Sequence, residues 1–363
     1  MTDGDASGMQ VRQLYCAAEL PVLQNRTFDT AAAARQCPRG DLKLVQDLHT
    51  GLIFNQQFRA ELVEYDSHYQ NEQALSGTFQ RHLQQVAEIC RAHFSGMTLV
   101  EVGCGKGYFL ERLQALGFAV TGLDPAYEGS NPAIRRQYFD AASGIRADGI
   151  VLRHVLEHVR EPLAFLAQLC RANGGHGRIY IEVPCFDWIC ERRAWFDIFY
   201  EHVNYFRDCD FRRMFGVVHE TGRLFGGQYL YVVAELASLR VPGPPAALVD
   251  FPADFLAGVE RCAQRLRSRP GRAAVWGGAS KGVLFTLFMR RCGVDVDVVF
   301  DINPAKHGRY LPVSGARVYD PAHAPQLLEP GADVFVMNGN YLDEIRALTD
   351  GRFNYQTVDH AGI

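Results

Sequence analysis

Two glycine-rich segments and a group of histidines carry most of the chemistry in this sequence. The first segment, Val100-Glu-Val-Gly-Cys-Gly-Lys-Gly-Tyr-Phe109, places an acid at Glu101 and glycines at Gly103, Gly105 and Gly107. Glycine allows a tight turn and lets a ligand approach the backbone with no Cβ in the way. Asp124 follows 21 residues after Gly103, a workable distance for strand, helix and strand. A carboxylate there can accept two hydrogen bonds from the hydroxyls of a ribose. In a dinucleotide fold the third glycine usually comes three residues after the second, whereas here the spacing is GxGxG. The second segment, Gly277–Gly282, places Lys281 in a glycine turn at a helix start. Such a turn can bind phosphate through backbone amides, with Lys281 adding charge, or it can serve packing alone. Asp301 repeats the position of Asp124 after the next strand, and Asn338 and Asn340 fall at a later strand end.

These residues need a scaffold, and the apolar pattern supplies one. Residues 78–94 place Phe79, Leu83, Val86, Ile89 and Cys90 at helical spacing. Met97–Val102 reads as a buried strand, Phe109–Leu116 as a helix and Phe118–Leu123 as a second strand. Residues 148–152 read as a third strand, Pro162–Ala172 as a helix, and Gly177–Val183 and Tyr229–Glu235 as further strands. Alternating strands and helices predict a doubly wound α/β unit over 76–240. Residues 241–254, with four prolines, read as a linker. Residues 255–363 repeat the α/β pattern: a helix at Phe255–Arg267, strands at Ala273–Trp276, Val296–Phe300 and Val334–Met337, and a helix at Val283–Arg291. Residues 1–75 are weakly patterned and read as a small separate region.

Composition narrows the function classes. A chain of 363 residues suggests two or three domains. Hydrophobic residues at 48% and charged residues at 21% are ordinary for a globular protein. A formal net charge of −4 gives no support for a nucleic-acid or acidic-membrane partner. No apolar run reaches about 18 residues, so no membrane span is expected. The N-terminus lacks the pattern of a signal peptide, so the expected location is cytoplasmic. Ten scattered cysteines without a CxxC pair read as reduced core residues.

The GxGxG spacing with Glu101 and Asp124 resembles the class I methyltransferases that use S-adenosylmethionine. The resemblance implies that the methionine part of the cofactor lies over Gly103–Gly107, and that Phe139 and Asp140 contact its adenine. S-adenosylhomocysteine would be the product. A narrower resemblance covers about residues 40–360. RHVLEHVREP (153–162), DIFYEHVNYF (197–206), GQYLYV (227–232) and WGGASKG (276–282) are similar to the sugar C-methyltransferases of antibiotic and surface-polysaccharide pathways. Those enzymes join a small zinc-binding N-terminal domain, a class I methyltransferase domain and a C-terminal Rossmann-like domain. Here Asp47 and Thr50 stand where the family's second cysteine pair should be, and Glu19 replaces one cysteine of the first, leaving Cys16. One thiolate cannot hold a structural zinc, so the reading is a degenerate, metal-free domain that caps the substrate. A mixed site of Cys16, Glu19, Cys37, Asp47 and His49 is the alternative.

The resemblance also implies roles. Methylating carbon requires removal of a proton α to a ketone, and histidine is the natural base near neutral pH. His202 matches the family's base, with Glu201 orienting it or raising its basicity. His158 matches a histidine near the substrate carbonyl. The family's tyrosine three positions before the base is Phe199 here, so either Tyr200 or Tyr205 replaces it or the hydroxyl's role is absent. Tyr69 matches a tyrosine that reaches toward substrate, with His68 and Glu72 beside it. Tyr205, Gln228, Lys281 and Asn338 are candidate substrate contacts, whereas His154 reads as an ordinary helix-start histidine. The expected acceptor is a nucleotide-linked keto-sugar. Alternatives are O- or N-methylation of another small metabolite, or a non-catalytic cofactor-binding partner in a biosynthetic complex.

Overall fold

The computed structural model describes residues 10–63, 70, 73–269 and 271–358. Among them the strands form three sheets. The central sheet runs in the order Val218–Leu224, Tyr229–Glu235, Arg178–Pro184, Gly149–Arg153, Thr98–Val102, Ala119–Leu123 and Ile134–Arg135. The last five of these strands are parallel. Tyr229–Glu235 runs antiparallel to both of its neighbours. From Thr98–Val102 the chain builds first to one side and then to the other. The gap at that reversal is where doubly wound sheets bind ligands.

The strands between the two faces read as apolar runs because both faces are covered. Val100, Ile150, Val151, Leu152, Ile179 and Ile181 are all fully buried. The helix Gly77–Phe94 packs Phe79, Leu83, Val86 and Cys90 inward, as its periodicity predicts. Ser76 caps it by accepting from the N–H groups of Thr78 and Phe79. Glu344, from the C-terminal region, accepts from the Ser76 hydroxyl at 2.8 Å and the Thr78 N–H at 2.9 Å. A carboxylate is favoured at that end of a helix by the macrodipole, so this contact ties the C-terminal unit to the central one.

The C-terminal sheet is parallel throughout, in the order Arg317–Tyr319, Val298–Phe300, Ala274–Trp276, Asp333–Val336 and Asn354–Thr357. Its helix Ser280–Arg291 packs on the central unit through Trp195, whose ring stacks on Phe285 and lies 5.2 Å from Phe288.

The weakly patterned N-terminal region holds an antiparallel sheet, Val11–Pro21, Arg39–Asp47 and Ile53–Asn55, joined by Asn204–Tyr205 from the central region. The expected linker is packed against this sheet. The Val249 N–H donates to Gln46 Oε1 at 2.9 Å, and Phe251 stacks on Tyr15 and Phe186. No helix of the described residues is long and apolar enough to cross a membrane.

Trp195→Ala removes the largest side chain at the contact between the central and C-terminal units. It should cost about 3–5 kcal/mol, read as a lower urea midpoint. A midpoint within error of the parent would show that the contact contributes nothing.

Candidate active site

The glycine loop leaves Thr98–Val102 and enters the helix Tyr108–Ala115. Its glycines do different work. A Cβ at Gly103 would meet Val155 at 2.4 Å, and one at Gly107 would meet Ile134 at 2.5 Å, so both are required by packing. Gly105 has φ +54°, and nothing lies within 4 Å of where its Cβ would be. That space belongs to a ligand approaching the backbone. Asp124, half-buried at the end of the next strand, accepts from the Gly105 N–H and the Ala126 N–H, both at 2.8 Å. It therefore holds the loop in shape as well as bordering it.

Beneath the loop, Glu101 is 3% exposed and its Oε2 has no hydrogen-bond partner. Burial pushes its carboxyl up to about 7, with the Arg153 charge pulling down and Asp124 pushing up. An orphaned buried carboxylate oxygen calls for a donor. The amino group of S-adenosylmethionine is a matching one, and Gly105 and Asp124 supply backbone access and an acceptor beside it. The residues present therefore fit that cofactor. Phe139 is packed in the core, and Asp140 caps the turn Ala141–Ser143 by accepting from the N–H groups of Ala142 and Ser143.

A cavity of about 220 Å³ opens at the carboxyl ends of the parallel strands. All three regions of the chain contribute to its wall: Asn25 from the N-terminal region, His158, His202 and Gln228 from the central one, Trp276, Lys281 and Asn338 from the C-terminal one. Gln228 Oε1 accepts from Asn338 Nδ2 at 2.7 Å, and Asn25 Nδ2 donates to Ser280 Oγ at 3.3 Å.

His202 is strung between two supports. The next residue, Val203, donates its N–H to the Glu157 carbonyl, and its own carbonyl accepts from the Asn55 N–H, both at 2.7 Å. The imidazole packs on Phe199 with ring centres 4.0 Å apart and meets His158 edge-on at 4.9 Å. Burial, then the charges of His158, His154 and Lys281, hold His202 well below the usual histidine range. It is therefore neutral near pH 7, the form a base requires. Nδ1 of His158 lies 3.0 Å from the Glu201 carbonyl. A carbonyl only accepts, so Nδ1 carries the proton and Nε2 is left for other partners.

Several sequence-selected residues do other work. Tyr200 is fully buried away from the cavity, where its hydroxyl accepts from the Arg59 N–H at 2.9 Å. Tyr205 spends its hydroxyl on the N–H and carbonyl of Phe199, both at 3.1 Å. Neither supplies the hydroxyl expected beside His202. Lys281 lies in the cavity wall, but Asp197 answers its charge at 3.0 Å and its ammonium sits over Trp188 and Phe196. Tyr69, His68 and Glu72 lie outside the described residues. In the N-terminal region Asp47 closes its own turn, accepting from the His49 N–H and the Thr50 hydroxyl. Among the described residues, Cys16, Glu19, Cys37, Asp47 and His49 are not gathered into a metal-binding group.

The structure adds a buried cluster that periodicity alone passes over. Glu182, fully buried in Arg178–Pro184, accepts from Tyr180 at 2.7 Å, Arg153 at 3.0 Å and His82 at 3.1 Å. Burial alone would raise its carboxyl, but Arg153, His82 and His154 hold it well below the usual range. Two sets place nitrogen and oxygen ligand atoms within 4.8 Å of one another near the cavity: His82, His154 and Glu182, and Glu157, His158 and His202. The first is committed to the Glu182 hydrogen bonds. The second faces the cavity and has the composition of an acid–base set. The signals for the cluster were a charged residue in an apolar strand (Glu182) and a histidine on the apolar face of a helix (His82).

Residues 67–218 match the family model described as a methyltransferase domain. That match falls on the central unit, whose residues fit S-adenosylmethionine. Two relatives are both named ubiquinone biosynthesis O-methyltransferase. The one from Methylobacterium sp. (strain 4-46) is 38% identical over 92 residues, covering 22% of this chain and 37% of the relative. The one from Caulobacter vibrioides is 33% identical over 103 residues, covering 23% and 40%. The chain thus spans about two-fifths of the length of these relatives. Among solved structures, magnesium protoporphyrin IX methyltransferase from Synechocystis with bound S-adenosylhomocysteine aligns at TM-score 0.35 and 18% identity, covering 46% of this chain and 87% of that one. The 1,6-didemethyltoxoflavin-N1-methyltransferase of Burkholderia thailandensis aligns at TM-score 0.33 and 13% identity, covering 51% and 95%.

Glu101 gives the methyltransferase domain a testable pH dependence. Its carboxyl, raised to about 7, is largely protonated at pH 6 and ionised at pH 8. The ionised form suits a cationic amino group. Affinity for S-adenosylhomocysteine, measured by calorimetry, should therefore rise about tenfold over that interval. Glu101→Gln should bind more weakly and remove the dependence. A flat profile in the parent would take Glu101 out of cofactor binding.

Proposed function

We propose that the chain is a methyltransferase acting on carbon next to the ketone of a nucleotide-linked keto-sugar. The observation that carries the proposal is a neutral, buried His202 beside His158 in a cavity walled by all three regions of the chain. His202 takes the proton α to the ketone, and the rigid seat made by Phe199 and Val203 fixes its direction of approach. Glu201, 2% exposed and adjacent, stabilises the imidazolium that results. His158, its Nδ1–H committed to the Glu201 carbonyl, donates from Nε2 in its imidazolium form to the enolate oxygen. Asp124 accepts from the cofactor's ribose hydroxyls, and Phe139 and Asp140 border its adenine. When bound, S-adenosylmethionine supplies a methyl group activated by a sulfonium.

The acceptor class rests on the similarity to the sugar enzymes and on the cavity wall. Gln228 and Asn338 offer amide groups, and the loop Gly277–Gly282 borders the same space. Because Lys281 is answered by Asp197, the backbone amides of that loop are the better candidates for a diphosphate.

A second reading, O-methylation of a small metabolite, is favoured by the relatives' names and by Phe199 standing where the sugar enzymes carry tyrosine. A hydroxyl acceptor needs His202 as base but no enolate.

Solvent exchange separates the two. The enzyme is incubated with S-adenosylhomocysteine and a panel of nucleotide-linked keto-sugars in D₂O. One substrate should gain about one dalton, and His202→Ala should slow that gain by about 10²–10⁴-fold. Methyl transfer to a hydroxyl acceptor, with no exchange into any keto-sugar, would establish the second reading.

A further inference from the structure

Three side chains in the cavity wall have the composition of a metal site. Glu157, His158 and His202 each offer a ligand atom, and these atoms lie within 4.8 Å of one another. Two of the three residues carry a buried polar atom with no hydrogen-bond partner among the described residues, Oε2 of Glu157 and Nδ1 of His202. A carboxylate oxygen shut away from water is costly unless a donor or a positive charge answers it. Among the described residues Glu157 pairs with no lysine or arginine, and its other oxygen, Oε1, lies 3.3 Å from Nδ1 of His154.

The three ligands are also held from behind. The turn Leu156–His158 puts Glu157 and His158 side by side. The Val203 N–H, donating to the Glu157 carbonyl at 2.7 Å, clamps the His202 segment to that turn. The His158 Nδ1–H is committed to the Glu201 carbonyl at 3.0 Å, which fixes the ring and leaves the lone pair on Nε2. Histidines that bind metals characteristically give their other N–H to such a carbonyl. The His202 ring meets His158 edge-on at 4.9 Å and rests on Phe199 at 4.0 Å. The other two groups of close ligand atoms among the described residues are already answered by arginine. Arg153 pairs with Glu182 in the group formed with His82 and His154, and Arg207 and Arg223 hold Asp187 and Asp208 in the group formed with Cys185. In the cavity wall, Lys281 is paired with Asp197, Lys306 with Asp301, and His154 with Glu157 and Glu182.

We propose that Glu157, His158 and His202 form a binding site for a divalent transition-metal ion of the zinc class, with its remaining coordination positions open to the cavity. Two imidazole nitrogens and one carboxylate oxygen suit Zn²⁺, Co²⁺ or Fe²⁺, whereas Mg²⁺ and Ca²⁺ prefer sets of oxygen alone. Three protein ligands leave a position for water or another oxygen, the pattern of an exchangeable site rather than a structural one. The site stands on the geometry of the three side chains and needs no acceptor. Its consequence for turnover rests on the reading of His202 as the base. A neutral imidazole has one nitrogen lone pair, so His202 cannot hold the ion and accept a proton at the same time. The ion is therefore an inhibitor: bound zinc blocks the proton transfer and a chelator restores it.

The test uses the full chain, prepared without a histidine tag and stripped with a chelator. Zn²⁺ binding is followed by calorimetry, and Co²⁺ binding by its visible absorption, which strengthens when the ion leaves six-coordinate water for a protein site of fewer ligands. One equivalent should bind. Glu157→Gln and His202→Ala should each weaken binding about 100-fold or more. His219→Ala, at the half-exposed pair of His93 and His219, should leave it unchanged. A cooperative thermal melt shows that each variant is folded. In the Co²⁺-loaded parent, NMR should show two paramagnetically shifted, exchangeable imidazole N–H resonances, a result that stands even where a variant does not fold. Absence of saturable binding in the parent overturns the proposal. So does binding that survives both site variants, or that disappears in His219→Ala. Deuterium exchange undiminished by saturating zinc would overturn the inhibitory role. Zinc binding as described, with no exchange into any keto-sugar by the metal-free enzyme, would remove the carbon-methylation reading and leave the ion site intact.

Discussion

A carboxylate shut away from water must be surrounded by donors or it will not stay charged, and Glu182 imposes that demand at the heart of the central sheet. Its neighbours come from four places: Tyr180 on its own strand, Arg153 on the adjacent one, His82 on the preceding helix and His154 just past the strand end. Breaking a buried pair of this kind typically costs about 3–5 kcal/mol. The cluster thus fixes how the helix Gly77–Phe94 seats on the sheet and where the chain turns after Gly149–Arg153. Those two choices set the edges of the cofactor cleft and of the acceptor cavity. A purely apolar core would fix the packing equally well, but it would place no charge beside the histidines.

The acceptor cavity depends on the same economy of position. No single unit holds His202. Its segment pairs with the N-terminal sheet through Asn204–Tyr205 and touches the turn after Gly149–Arg153 through the N–H of Val203. The C-terminal unit closes the far side by two polar contacts, Glu344 on the start of the helix Gly77–Phe94 and Asn338 on Gln228. Both contacts lie in the cavity wall. Movement of the C-terminal unit would therefore alter the cavity before it altered the cofactor loop.

Much of this was legible in the sequence, for physical reasons. Strands buried on both faces, such as residues 148–152 and 177–183, announce themselves as apolar runs. The helix Gly77–Phe94 does so through its 3.6-residue period. The glycine loop was legible because glycine has few substitutes at φ +54°. The strands Val11–Pro21 and Val218–Leu224 were not, because they are half-exposed and lack a sustained apolar alternation. Tyr200 and Tyr205 show the limit of reading by proximity. Each is next to or near His202 in the chain, yet each hydroxyl is consumed by a backbone group. His154 was passed over because a histidine at a strand end has no period to betray it. Only the fold brings Glu157 and Glu182 to its two nitrogens.

The two glycine loops make the same point from the other direction, since their sequences promise similar chemistry and their surroundings differ. Asp124 and Asp301 both follow the second strand of their units, and both accept from an N–H of the loop above, Gly105 or Gly278. Asp301 also faces the buried ammonium of Lys306 at 3.5 Å, and that ammonium donates to the Gly278 carbonyl at 3.1 Å. Its charge is therefore neutralised from within, and the loop is clamped from both sides. A Cβ at Gly282 would fall 1.9 Å from the Gly277 carbonyl oxygen, so that glycine serves close packing of helix on turn. Among the described residues no cation pairs with Asp124, and the space over Gly105 is open. The difference lies in one lysine. A loop whose acid is already answered can offer a ligand only its backbone, whereas a loop whose acid is unanswered can still bind through the side chain.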